Sequence, residues 1–228
     1  MMGQLILGLG NRARHGKDSF AQAIIRYYAN LDGVRAKHGL NVKPTVIQHL
    51  AFADALYKEI NAWLATPEGL RWRDGFKACV VDGPIVTPDW VTPDNPLTDP
   101  RAPLGKYTKL LQWWGTEYRR QNFGQDYWVK QWKAAVNPKA DIVFSTDMRF
   151  QNEAQAVKDL GGYTIQVSRR NADGTPFVDT SRDPNHPSET QLDDYNYDYK
   201  INVKTGDQVL LEEWAITLVH FLKARKSK

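Results

Sequence analysis

The run Gly10-Asn-Arg-Ala-Arg-His-Gly16-Lys17-Asp18-Ser19 constrains the fold of this chain more than any other stretch. The apolar Gln4-Leu-Ile-Leu-Gly-Leu9 before it reads as a short buried strand, and Phe20 to Ala29 after it carries apolar residues at helical spacing. A strand, a glycine-bracketed turn and a helix in succession bring backbone N–H groups and a helix N-terminus to one point, where they can converge on phosphate oxygens. Lys17 adds a mobile positive charge, so Asn11, Arg14, His15, Gly16, Lys17, Asp18 and Ser19 are candidate contacts to a nucleoside triphosphate. The loop departs from the usual G-x-x-x-x-G-K-[ST] pattern in two ways: five residues separate Gly10 from Gly16, and Asp18 stands where the hydroxyl is expected, with Ser19 one place later. Asp18 can hold a metal through water or cap the helix. The competing account is a glycine-rich turn in which Asp18 and Ser19 serve only the helix start.

The rest of the chain alternates strand and helix. Thr45 to Leu50 reads as a strand and Ala53 to Leu64 as a helix, with a polar connection over Asp32 to Lys43. Asp82 to Pro103 is too rich in proline for regular helix and reads as a long surface excursion. Lys109 to Asn122 and Tyr127 to Val136 read as aromatic-rich helices, and Ala140 to Thr146 as a buried strand ending at Asp147. A helix over Asn152 to Leu160 closes at Gly161-Gly162, then follow a strand over Tyr163 to Val167, a long polar loop over Ser168 to Glu189, a strand over Tyr199 to Val203 and a closing amphipathic helix over Asp207 to Arg225. This alternation predicts an α/β fold with a mainly parallel, doubly wound sheet, whose ligands sit beyond the carboxyl ends of the strands. That rule gathers Lys17, Asp54, Asp147 and Arg169 at one edge.

Composition narrows the setting. The 228-residue chain suits one α/β domain with insertions, and its formal net charge of +4 suits an anionic ligand without indicating stable nucleic-acid binding. The lone Cys79 argues against a disulfide or a cysteine-rich zinc site and fits a reducing cytoplasm, and His15 and His186 lack ligand-spaced partners. No apolar run approaches the roughly 20 residues that span a bilayer, and no signal-peptide pattern opens the chain, so no membrane association is expected.

Three further clusters carry candidate chemistry. Asp54 and Lys58, one helical turn apart after a strand, can orient a phosphate acceptor and neutralise its charge, or form an ordinary solvated pair. In Leu110 to Arg120, Gln112 is suited to reading a base edge, Trp113 or Trp114 to stacking on it, and Arg119 or Arg120 to clamping a monophosphate, with Gln112, Thr116 and an arginine on one helical face. A core helix that buries its tryptophans is the alternative. Asp147-Met-Arg-Phe-Gln-Asn-Glu153 begins where a buried strand stops, which places Asp147 like the second-strand carboxylate of nucleoside triphosphate enzymes and points Arg149 over the same edge. Arg169, Arg170 and Arg182 sit in a segment able to close over a transferred phosphate.

Taken together, Gly16-Lys17-Asp18-Ser19, Phe52-Ala-Asp54 with Lys58, Leu111-Gln-Trp-Trp-Gly-Thr-Glu-Tyr-Arg-Arg120, Asp126-Tyr-Trp128, Asp147-Met-Arg-Phe-Gln-Asn-Glu153 and His186-Pro-Ser-Glu189 resemble the deoxynucleoside monophosphate kinases of tailed bacteriophages, a branch of the P-loop kinases. The resemblance implies a single three-layer α/β/α domain over residues 1–228 around a central, mainly parallel five-stranded sheet. It also implies an acceptor-binding and proline-rich insertion at about 53–136 and a lid at about 168–190. It implies transfer of the γ-phosphoryl group of ATP to a deoxynucleoside monophosphate in the host cytoplasm. Mg²⁺ would lie near Ser19 or Asp18 and Asp147, and a homodimer is a further expectation. Lys17, Asp54, Asp147 and Arg169 would serve catalysis, and Asp54, Lys58, Gln112, Trp113, Thr116, Arg119, Arg120, Trp128, Arg149 and Glu153 would hold the acceptor. Two other readings stay open: a P-loop kinase for another small molecule, and a phage DNA-binding or packaging accessory protein, which would need a continuous basic groove.

Overall fold

The computed structural model describes residues 3–67, 111, 113–179 and 185–226. Cys79, the proline-rich stretch 82–103, Gln112 and Arg182 lie outside the described residues, and of Trp113 only the backbone is described. The chain forms two units, one of Met1–Ala51 with Lys133–Lys228 and one of Phe52–Trp132.

The first unit is built on a five-stranded sheet of β1 (Leu5–Gly10), β2 (Ile47–His49), β3 (Ile142–Met148), β4 (Tyr163–Arg170) and β5 (Tyr199–Lys204). The strand order is β2-β3-β1-β4-β5, and every pairing is parallel. All of β1 is buried, as a central strand covered on both faces requires. On one face Leu5, Leu7, Leu9, Phe144, Ile165 and Val167 pack with α1 (Lys17–Lys37) and the C-terminal helix Gln208–Lys226. Phe20, Ile24 and Tyr28 of α1, at i, i+4, i+8 spacing, supply the matching stripe. The helix Gln151–Asp159 covers the other face, and there Gly8 has no room for a side chain, because a Cβ would lie 2.8 Å from both Met148 Sδ and Val157 Cγ2. The result is the three-layer α/β/α arrangement of a P-loop kinase-like fold.

Some expected boundaries move. The first helix does not give way to a connection after Ala29 but runs to Lys37, Gly33 included. An internal glycine costs only about 1 kcal/mol against alanine, whereas Leu31 packs on the core and Asp32 ties the last turns down by accepting from Thr45 N–H at 2.7 Å and Arg35 at 3.2 Å. The polar loop expected from Ser168 starts later. Ser168, Arg169 and Arg170 are strand residues laddered to Asn202, Val203 and Lys204 of β5.

In the second unit, α2 (Asp54–Leu64) sets Leu56 and Ile60 against Trp114 and Trp128. Trp113–Arg120 is a π-helix that runs into the short α-helical turn Gln121–Phe123, and the helix Tyr127–Ala135 follows, with its residues up to Trp132 in this unit. Gly115 lets the π-helix approach α2, since a Cβ there would lie 3.3 Å from Leu56 Cδ2, and its carbonyl accepts from Trp128 Nε1 at 2.9 Å. The carbonyls that a π-helix leaves out of register are partly taken up by Asn122 Nδ2, which donates to Glu117 O and Tyr118 O.

Candidate active site

The turn after β1 is held open by three residues with left-handed backbone: Asn11 at φ 114°, Arg14 at φ 58° and Gly16 at φ 92°. These turns accommodate the additional residue between the two glycines. Asn11 fastens the loop from inside, with Oδ1 accepting from Arg12 N–H at 2.8 Å and Nδ2 donating to Val167 O at 2.9 Å and Ser168 Oγ at 2.8 Å. Gly16 caps α1, whose first regular bond runs from Phe20 N–H to Gly16 O at 2.9 Å. The N–H groups of that first turn have no acceptor within the helix, which makes it an anion-binding end.

Lys17 folds back across the loop and donates from Nζ to Asn11 O at 3.1 Å and Arg12 O at 2.6 Å. It is buried, and burial together with nearby Arg149 drives its pKa well below the usual lysine range, while Asp18, Glu189 and Asp147 pull the other way. Both candidate metal carboxylates, Asp18 and Asp147, therefore lie close enough to act on Lys17 through space. Asp18 is exposed and Ser19 half-buried in the first turn of α1. Asp147 lies at the irregularity where the β1–β3 register steps from Gly8↔Ser145 to Gly10↔Met148, and its Oδ1 accepts from Ser145 Oγ at 2.7 Å. Bulges of this kind re-aim side chains next to active sites. Among the described residues no three His, Cys, Asp or Glu side chains converge as a metal cage. That donor set fits Mg²⁺, which keeps several waters and is commonly held by one or two carboxylates together with substrate phosphates.

Arg149 follows β3 and is aimed at the loop, with Nη1 donating to Asn11 O at 3.1 Å and to Glu189 Oε2 at 3.0 Å. Glu153, expected at an acceptor, is buried and accepts from the backbone N–H groups of Arg149 at 2.7 Å and Phe150 at 3.1 Å, so it fixes the backbone that carries Arg149. His15 is also buried. Its Nδ1 accepts from Arg169 N–H at 2.9 Å, which leaves the proton on Nε2, where it meets no hydrogen-bond partner among the described residues. Burial, with Lys17, Arg169, Arg149 and Arg12 nearby, lowers its pKa to about 4. The Arg169 guanidinium lies over Phe177, 3.5 Å from the ring centroid, and His15 meets the same ring edge-on. Arg170 donates to Gly174 O at 3.2 Å, and Arg14 stands 3.7 Å from Asp179.

In the second unit the acceptor candidates are distributed differently. Asp54 opens α2 half-buried, Lys58 is exposed and Thr116 is half-buried. Arg119 is held by Glu59, to which Trp114 Nε1 at 3.2 Å and Tyr127 OH at 3.1 Å also donate, inside a box formed by Trp114, Tyr118, Phe123 and Tyr127. Arg120 is buried and donates to Gln125 O at 2.7 Å, and Trp128 is core. Sequence reasoning missed Glu59 as the centre of this box and gave Glu189 no role. The signal for the first was an acid on α2 with an arginine-rich segment to pair with. For the second it was the acid closing the His186-Pro-Ser-Glu189 turn.

No protein-family profile matches the chain. Over 56 residues it is 46% identical to a protein of Acanthamoeba polyphaga mimivirus named "Putative deoxynucleotide monophosphate kinase". The match spans about a quarter of each protein, 25% of this chain and 24% of the viral one. No helix among the described residues is long and apolar enough to cross a membrane.

Proposed function

We propose that this chain is a nucleoside monophosphate kinase that transfers the γ-phosphoryl group of ATP to a deoxynucleoside monophosphate. The observation that carries the reading is the loop after β1, with Lys17 folded across it and Asp147 and Arg149 delivered beside it from the end of β3. The viral relative's name supports the substrate class. Lys17 leaves its two carbonyl partners for the triphosphate, whose negative charge restores the proton affinity that burial removes. Arg149 takes the transferring phosphate from the other side. Ser19, Asp18 and Asp147 are the residues to hold Mg²⁺, which when bound offsets phosphate charge. Asp54, Lys58 and Thr116 are our candidates to receive the monophosphate, with Arg119 and Arg120 keeping that segment in shape. Phosphoryl transfer asks for positioning and charge compensation more than for a covalent nucleophile, and this residue set meets that demand.

The test is incubation with ATP, Mg²⁺ and a panel of deoxynucleoside monophosphates, modified bases included. Formation of a diphosphate from at least one of them is expected. A correctly folded chain that phosphorylates none defeats the reading, and one that binds ATP yet ignores the whole panel points to another small acceptor.

A further inference from the structure

The phosphate loop already holds an anion that belongs to the protein. Glu189 is 8% exposed, and its Oε2 accepts from Ala13 N–H at 3.3 Å, in the middle of the loop, and from Arg149 Nη1 at 3.0 Å. A loop N–H and a guanidinium are the donors that a phosphate oxygen seeks. The carboxylate is carried by the short turn Pro187–Thr190, which is capped within itself by Ser188 N–H donating to His186 Nδ1 at 3.1 Å. A second ion pair latches the same segment to the loop, since Arg12 donates from Nη2 to Asp193 Oδ2 at 2.5 Å and from Nε to Asp193 Oδ1 at 3.2 Å. Between loop and segment lies a small crevice lined by Asn11, Arg12, Arg149, Ser188, Glu189 and Asp193.

We propose that Glu189 is an internal occupant of the phosphate loop which the nucleotide displaces, and that its departure releases Arg149 to the phosphate. The inference rests on the nucleotide-binding reading above. Two anions within a few ångströms cannot both stay charged on the same donors without a large penalty. A triphosphate that arrives at the loop therefore competes with Glu189 for Ala13 N–H and Arg149. Once Glu189 leaves, Arg149 retains its bond to Asn11 O and remains aimed at the loop. In the empty protein the carboxylate neutralises Arg149, which otherwise lowers the proton affinity of Lys17. One anion is thus exchanged for another on the same two donors.

The experiment compares ATP–Mg²⁺ binding by calorimetry in the wild-type chain and in Glu189→Gln, which keeps the shape and an acceptor but removes the charge. Binding about tenfold tighter in the variant is expected, because charge-assisted bonds are roughly twice as strong as neutral ones. Unchanged or weaker binding, with ATP still bound by the wild type, overturns the displacement while leaving the kinase reading intact. A wild-type chain that binds no ATP overturns both. Should the variant not fold, hydrogen exchange on the wild type decides: peptides over residues 186–195 should exchange faster when ATP–Mg²⁺ is added. Slower or unchanged exchange there overturns the proposal.

Discussion

Lys17 sits in surroundings that work against its own charge. It is buried, close to Arg149, and among the described residues it donates to two loop carbonyls, so the fold gains little stability from it. Lys17→Ala should therefore melt within about 1 kcal/mol of the wild type, while phosphoryl transfer falls by about a hundredfold or more, as loss of a transition-state charge partner entails. Thermal melting and a turnover assay on one preparation check both halves. His15 gives a pH dependence of defined sign. Its folded pKa, about 4, lies below the usual 6.5, so its contribution to stability is present above pH 6.5 and is lost as pH falls toward 4. Between pH 7 and pH 5 the wild type should lose about 2 kcal/mol from this group, and His15→Asn should lose correspondingly less. Denaturant melts at the two pH values measure the difference.

Among the elements, the junction of β1 and its loop shows why glycine ends the strand. A Cβ at Gly10 would lie 2.5 Å from the hydroxyl of Tyr197, 2.6 Å from its Cε1 and 2.8 Å from Met148 Cε. That hydroxyl is buried and finds no hydrogen-bond partner among the described residues. Tyr197→Phe should accordingly be neutral or stabilising by up to about 1 kcal/mol. Gly10→Ala should cost about 1–3 kcal/mol, part of which Tyr197→Phe restores, as a double-mutant cycle of melts would show. The strand–loop–helix unit was legible in the sequence because its parts are contiguous and each carries its own pattern. That the sheet is parallel followed from the alternation of strand and helix. What was not legible are the contacts made across the chain. Arg119 and Glu59 are 60 positions apart, and Ala13 and Glu189 are 176 apart. No local period announces such a pair, so Arg119 or Arg120 read as a monophosphate clamp and Glu189 was given no role. Glu153 has a simpler account, because an acid at the third residue of a helix commonly serves the backbone, as it does here for the N–H groups of Arg149 and Phe150.

For the whole molecule, the division into units makes an excision informative. Phe52 and Trp132, the two ends of the second unit, stack with centroids 4.5 Å apart, so the segment leaves and returns at neighbouring points. Replacing residues 53–131 by a short flexible linker should leave a sheet unit that melts cooperatively and still binds ATP but no longer phosphorylates a monophosphate. Loss of ATP binding would show that the first unit does not carry the nucleotide site alone. The strand order has a further consequence, for how the chain is made. Leu5 of the central strand pairs with Ile142, and Leu7 with Tyr163, so the most apolar strand leaves the ribosome before either neighbour has been translated. At about 5–20 residues per second, its partners follow on the order of ten seconds later. Through that interval Leu5-Ile-Leu-Gly-Leu9 has exposed edges on both sides, which makes the nascent chain, far more than the finished protein, a candidate client for chaperones.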